Sequence, residues 1–401
     1  MRIALVTAHY QPATVTCGVG DYTRCLRQAF ESLGHPCAIV TSARSRSQEP
    51  EVYRIPGRWG LRDTLAAGRI LRSLRPDAVA LQYTPGQYGY GPTFKLLPLH
   101  LRRAPSRPLV VTAFHTLVGG RWIAKPYAAL LAATSHGVVS THAELSDLFR
   151  RHLPWLKYKL REIPIGANIP RPSLDLASAR LALRRRLGLG PDAVVLGTFG
   201  FPAPGKGFDT LLHALQRLNG GPPLHLVCIG ETRQEDRGYR AELEALARRL
   251  GVEGRVHWLG GVPEQAAADL LWGTDAYVVP YDDGSSLRRG TLLAGFRVGV
   301  PLVTTTPRYA DPSLRPGETI IAVPPRSPEA LAGGIAALLA DRDLQARLRE
   351  RLASLGDRFD WRTIAAQHLS FLDELRERRG KDAMRAAGRG AGAPLAEGPP
   401  G

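Results

Sequence analysis

Cysteine, methionine and lysine are all scarce in this chain. Its four cysteines, at 17, 25, 37 and 228 of 401 residues, show no paired metal spacing. They are too few for a disulfide framework at this length, so reduced thiols in a cytoplasm are expected. No run approaches the ~20 apolar residues that a membrane-spanning helix needs. Residues 1–7 open directly on a strand pattern, with no charged n-region or cleavage site, so no secretory leader is expected. No helix-turn-helix, zinc finger or RNP-like motif is found, which argues against a nucleic-acid partner. No His/Asp/Glu cluster has ligand spacing; Asp282-Asp283 is a lone pair in a loop, so no metal is expected.

What is abundant is positive charge. The net charge is +17, and only six of the 53 basic residues are lysine. Such a balance favours anionic partners: nucleic acid, anionic lipid or phosphorylated small molecules. The Arg, Ala, Gly and Pro bias is also what codon usage alone produces, so the charge is discounted. A hydrophobic fraction of 44% and 401 residues suffice for two ordinary globular domains.

The apolar runs organise the chain. Arg2–Thr7, Cys37–Thr41, Val79–Gln82, Leu109–Phe114 and Gly137–Ser140 read as buried strands with helical patterns between them. A second series reads at Val194–Phe199, Leu224–Ile229, Val256–Leu259, Ala276–Pro280, Pro301–Thr305 and Ile320–Val323. Continuous apolar strands alternating with helices predict parallel sheets covered on both faces. I-P-I-G-A-N-I-P-R-P at 163–172 punctuates the two series.

Polar and glycine residues gather just after strand ends, where such sheets collect ligands. Gly18 and Gly20 open the first helix but lack the third glycine of a dinucleotide fingerprint. Two turn glycines are an equally good reading. His115 follows the 109–114 strand. A lone histidine is commonly structural, but this placement gives it a ligand-facing alternative. Lys206 sits in the loop G-F-P-A-P-G-K-G-F-D at 200–209, and Gly230-Glu231 follow the next strand.

The stretch from Val278 to Thr306 concentrates the most chemistry. A strand leads into a polar loop, Asp282–Gly290, and then into a short apolar helix that stops at Gly299. The N–H groups opening a helix have no partner and lie at the positive end of its dipole, which suits an anion. Arg288 and Arg289 add guanidinium charge, while Ser285, Ser286 and Thr291 add hydroxyls. The plainer alternative is that both arginines are solvated surface residues.

Several motifs together resemble a family 4 glycosyltransferase of the GT-B fold, over roughly residues 1–378. They are C-G-V-G-D-Y at 17–22 with L-G-H at 33–35, I-P-I-G-A-N at 163–168, and G-K-G-F-D-T-L-L-H-A-L at 205–215. R-V-H-W-L-G-G-V at 255–262, G-T-D-A-Y-V-V-P at 273–280 and F-D-W-R-T-I-A at 359–365 complete the set. The resemblance implies two Rossmann-like α/β/α domains facing across a cleft. An acceptor-side domain would span 1–165, a linker 166–190, and a nucleotide-sugar-binding domain 191–358. A helix over 359–378 would cross back, and a tail over 379–401, poor in large apolar residues, would be disordered. It implies transfer of a sugar, with retention, from a nucleotide-sugar co-substrate without a separate cofactor. Gly20, Lys206, Ser286, Arg288, Arg289, Gly290 and Thr291 would meet the donor diphosphate. Gly200, Gly230 and Glu231 would meet the nucleotide, and His115 would stand near the transferred sugar. Preorganised donors there would meet the charge gained by the leaving diphosphate.

The chain departs from that family in two places. The usual pair of glutamates falls at Ser286 and Ala294, and the usual donor-loop arginine falls at Phe201. Arg288 and Arg289 would then supply the missing charge from the other loop. A GT-B protein that binds without turnover, or a basic nucleic-acid-binding protein, are the rival readings. The acceptor is unknown; a lipid-linked one would suit the basic-aromatic stretches L-F-R-R-H-L-P-W-L-K-Y-K-L-R at 148–161 and F-K-L-L-P-L-H-L-R-R at 94–103. These would place a cytoplasmic enzyme peripherally on the inner face of the cell membrane.

Overall fold

The computed structural model describes residues 1–12, 17–57, 59–88, 93–117, 124–218 and 224–390. The chain forms two compact units, Met1–Ile163 with Ile364–Gly401, and Pro164–Thr363.

The first unit runs β1 (Ile3–Val6), α1 (Gly18–Ser32), β2 (Cys37–Ser42), β3 (Val52–Ile55), α2 (Leu61–Leu74), β4 (Ala78–Tyr83), α3 (Leu97–Arg102), β5 (Leu109–Phe114), α4 (Ala124–Thr134), β6 (Gly137–Ser140), α5 (Ala143–His152) and β7 (Leu160–Glu162). Its seven strands pair in the order β3-β2-β1-β4-β5-β6-β7, all parallel. The chain order reverses between β1 and β4, so the loops leaving those two strands open a crevice at their carboxyl ends. β1, β2, β4 and β5 are buried at every residue, which is why they read as unbroken apolar runs. β3 and β7 are only partly buried and went unanticipated in the apolar pattern.

The second unit runs α6 (Leu176–Leu187), β8 (Val194–Phe199), α7 (Phe208–Arg217), β9 (Leu224–Ile229), α8 (Arg237–Arg249), β10 (Val256–Gly260), α9 (Glu264–Trp272), β11 (Ala276–Val279), α10 (Gly290–Val298), β12 (Leu302–Thr305), β13 (Ile321–Val323), α11 (Pro328–Ala340) and α12 (Arg342–Gly356). Its six parallel strands follow the order β10-β9-β8-β11-β12-β13. Here the reversal falls between β8 and β11. The loops that leave them are 200–207 and 280–289, the two that carry the sequence's phosphate signals.

Two boundaries differ from the sequence expectation. Residues 166–190 are part of the second unit rather than a linker. Asp175 caps α6 by accepting from the Ser178 N–H at 2.9 Å. Arg184 on that helix is buried and reaches Asp275, which also accepts from Arg180 and from the Val195 N–H, at 2.7–2.8 Å. Three donors on one carboxylate tie α6 to the amino-terminal ends of β8 and β11, at the middle of the sheet. The last helix, α13, runs from Trp361 to Gly390, past the expected end at 378. Residues 381–388, K-D-A-M-R-A-A-G, are mostly good helix formers, so low hydrophobicity there does not end the helix. Residues 391–401 of the expected tail lie outside the described residues.

Candidate donor and acceptor sites

Three glycines bring the second unit's site together. Gly200 follows β8 at φ 106°, where a side chain would run into the Thr291 methyl and lie 3.3 Å from Lys206 Nζ. Gly230 follows β9 at φ 150°, and a Cβ there would lie 2.5 Å from the Gly200 carbonyl. Gly207, at φ 71°, caps α7 against the Pro280 carbonyl. Only glycine permits these backbone approaches. The result joins the ends of β8, β9 and β11 with the first turn of α10.

Lys206 lies within this junction. Its ammonium donates to the Phe201 carbonyl at 2.6 Å and lies 5.5 Å from the Phe201 ring centre. Burial, reinforced by Arg233 and Arg289, pushes its pKa down to about 8. A lysine held among like charges is a functional-site signature.

The 282–291 loop is more ordered than a solvated arginine pair would require. The Arg289 guanidinium lies 4.2 Å from the Tyr281 ring centre, and the Tyr281 hydroxyl meets Thr291 Oγ1 at 2.6 Å. Asp283 pairs with both Arg288, at 3.1 Å, and Arg289. Ser286 Oγ accepts from the Arg288 N–H at 3.4 Å. Arg289 caps α10, so Gly290 and Thr291 present the opening amides of that helix. Gly290 is open apart from the Asn168 amide, 3.8 Å from where its Cβ would stand. Arg289 Nε and Ser285 Oγ are buried without a partner. Ala294, at the second expected glutamate position, is fully buried within the core. Glu231 is exposed, its Cβ 3.4 Å from where one on Gly261 would stand. Among the described residues, no group of three or more His, Cys, Asp or Glu could hold a metal ion.

Lys206, Gly200, Gly230, Thr291 and Arg289 therefore converge, with Ser286, Arg288 and Gly290 on the same loop. Gly20 and His115 belong to the other unit. A Cβ on Gly20 would lie 2.7 Å from the His9 carbonyl, so this glycine lets α1 pack closely on the loop after β1. His115 Nε2 meets Gln82 Oε1 at 2.9 Å, and its ring stands edge-on to Tyr22, 4.6 Å between centres. Burial, then His142 and His368, drive its pKa down to about 3, so its imidazole is neutral at physiological pH. As the donor to Gln82, Nε2 carries the proton, which leaves Nδ1 as the acceptor nitrogen.

A cavity of about 350 Å³, which no sequence motif announces, lies beside the β1–β4 switch point. His9, Ser42, Arg44, Trp59, Gly86 and Gln87 contribute to its wall. His9 Nδ1, Trp59 Nε1 and Gln87 Oε1 are buried without partners. Trp59 also holds φ at 62°, a strained conformation for a bulky residue. Buried polar atoms normally find partners, so three orphans around one cavity suit a polar ligand.

Residues 190–341 match the family model described as glycosyl transferases group 1. Among relatives, the D-inositol 3-phosphate glycosyltransferase of Xylanimonas cellulosilytica is 31% identical over 254 residues, covering 62% of this chain and 59% of the relative. The phosphatidyl-myo-inositol mannosyltransferase of Mycobacterium leprae is 25% identical over 384 residues, covering 92% and 95%. In structure the chain resembles Anabaena HepE, solved with UDP and glucose, at TM-score 0.71 and 18% identity over 93% of this chain and 99% of that one. A glycosyltransferase from Rickettsia africae matches at TM-score 0.75 and 14% identity, covering 93% and 98%. Residues 190–341 therefore carry a group 1 glycosyl transferase domain, and the two parallel-sheet units have the GT-B fold.

Proposed function

We propose that this enzyme moves a sugar from a nucleotide-sugar donor to a hydroxyl of an anionic polyol acceptor, with retention at the anomeric carbon. The observation that carries the donor half is the convergence of Gly200, Gly230, Lys206, Arg289 and Thr291 at the switch point of the six-stranded sheet. Lys206, Arg289 and the opening amides of α10 hold the diphosphate and stabilise the charge it gains as it leaves. The donor is the co-substrate, and no further cofactor takes part. Ser286 and Arg288 support the same loop, while Glu231 stands beside the nucleotide. Retention rests on the family resemblance.

The acceptor half rests on the cavity of the first unit. Its orphaned His9, Trp59 and Gln87 atoms suit hydroxyls, and Arg44 suits a phosphate. Two relatives are named for inositol phosphate and phosphatidyl-myo-inositol, which have both kinds of group. The test is thermal shift against UDP-, GDP- and dTDP-sugars, then assay of nucleoside diphosphate release with inositol phosphate or phosphatidylinositol. Stabilisation by one donor and acceptor-dependent release are expected. A protein that binds a donor yet never turns over, with any acceptor, would instead be the catalytically silent binding protein.

A lipid-linked acceptor would bring the first unit to a membrane surface. Trp155 and Tyr158 are 48% and 71% exposed beside Lys157, and Leu96 and Leu99 are exposed as well. Not all of the basic stretch is free for this. Lys159 donates to the Ala133 and Ser135 carbonyls at 2.9 and 2.8 Å, and Lys95 is buried between the Tyr83 and Tyr127 rings. Among the described residues no helix is long and apolar enough to cross a membrane. Binding to anionic liposomes that falls with salt is expected. The double change Arg150→Glu with Lys157→Glu should weaken it, and Trp155→Ser should weaken it at every salt concentration. Absence of binding at low salt would mean a soluble acceptor.

A further inference from the structure

Phe201 occupies the place where the resemblance calls for a cation, yet two cations lie against its ring. Lys206 Nζ is 5.5 Å from the ring centre, and the Arg233 guanidinium is 5.2 Å from it. Arg233 belongs to the loop after β9, three residues beyond Gly230, and no sequence motif pointed to it.

We propose that Arg233 is a diphosphate-binding residue of the donor site, held beside Lys206 by the Phe201 ring. The inference rests on the donor reading above. An aromatic face attracts a cation while leaving its N–H groups free to meet an anion. Asp236, itself buried, takes Nε and Nη2 of Arg233 at 2.6 Å, which fixes the plane of the guanidinium. Glu235 reaches only to 3.5 Å of Nη1 and is largely exposed. The side chain of Arg233 keeps 30% of its surface open, so its remaining edge is reachable.

A salt bridge closing the loop explains Asp236 but not the company Arg233 keeps. Lys206, Arg233, Arg288 and Arg289 gather around Asp236 and Asp283, with Asp282 beside Asp283 and within reach of the Arg289 charge, and Glu235 at the rim. Like charges brought together out of water cost stability unless an anion joins them. Gly230, whose close approach to Gly200 fixes where β9 ends, also aims the loop that carries Arg233. The positive charge absent at Phe201 is thereby restored from a neighbouring strand.

The test compares UDP and GDP with their nucleosides, uridine and guanosine, by calorimetry. Arg233→Gln should weaken the nucleoside diphosphate about tenfold or more, the scale of a lost charge-assisted contact. The nucleoside should bind within about twofold of the parent, and Arg233→Lys should recover part of the diphosphate affinity. Equal diphosphate affinity in parent and Arg233→Gln would overturn the proposal. So would equal losses for diphosphate and nucleoside, which would make Arg233 a loop-closing residue. Asp236→Asn controls for the loop: its amide oxygen still accepts from Arg233 and holds the guanidinium plane while the competing negative charge is gone, so diphosphate affinity should hold or rise. A parent protein that binds neither diphosphate overturns the donor reading itself, and the Arg233 assignment with it.

Discussion

Lys206→Ala is expected to weaken nucleotide-sugar binding by about 1–3 kcal/mol, the worth of a charge-assisted contact in a partly dry site. Calorimetry at fixed salt reads this directly. Arg289→Ala should cost less, because Asp283 already compensates part of that charge in the free protein. The lysine also imposes a pH dependence. Its pKa in the free protein is about 8, and a bound diphosphate favours the ammonium, so the pKa in the complex is higher. Affinity should be level below pH 8 and fall by up to tenfold per unit above it, until the pKa of the complex is reached. Lys206→Arg, always charged, should flatten that fall. Stability runs the other way. The folded pKa lies below the unfolded value near 10.4, so the penalty for holding the charge is present below pH 8 and relieved as pH rises toward 10.4. Lys206→Met should therefore melt higher than the parent at pH 7, with the advantage gone above pH 10.4. Unchanged donor affinity in Lys206→Ala would remove the lysine from the site.

Lys206 was legible because three local signals coincide: a buried strand before it, glycines around it and a helix after it. Arg233 also follows a buried strand and Gly230 and precedes α8, but E-T-R-Q-E-D at 231–236 reads as an ordinary charged loop. Its position depends on Phe201 and Asp236, and the Phe201 contact joins the loops that leave β8 and β9, which only the pairing of those strands brings together. The same limit hid the structural role of Arg184, whose partner Asp275 lies 91 residues away. A sequence pattern marks an arginine-rich helix as solvated until the opposing carboxylate is known. β3 and β7 escaped for a different reason. Each is short and only partly buried, so neither shows a continuous apolar run or a clean alternation. The cavity beside β1 and β4 was not legible either. Trp59 and Gln87 gain meaning only when strand order places their loops next to His9. The arginine pair at 288–289 was visible, whereas the Asp283 clamp and the Tyr281 ring beneath Arg289 were not.

His115→Ala is expected to lower kcat by roughly 10²-fold or more, the range of a lost preorganised contact to the reacting group, and to leave donor affinity within about twofold. The motivation is its position just past the carboxyl end of β5, with the family resemblance placing it near the transferred sugar. Gln82 accepts from Nε2 and so fixes both the ring and its tautomer. The ring packs edge-on to Tyr22, whose hydroxyl meets His368 Nε2 at 2.9 Å, so its position is set from two sides. With a pKa near 3 its imidazole is neutral at physiological pH, so the part expected of it is that of a hydrogen-bonding group rather than an acid. The pH–rate profile should therefore show no step between pH 5 and 8 that vanishes in His115→Ala. Gln82→Leu leaves the imidazole in place but frees its tautomer, so a smaller fall in kcat is expected, again with donor affinity kept. Melting temperature separates the alternatives. A variant that melts lower but turns over normally would make His115 a packing residue of the Tyr22–His368 cluster, with no part in the transfer.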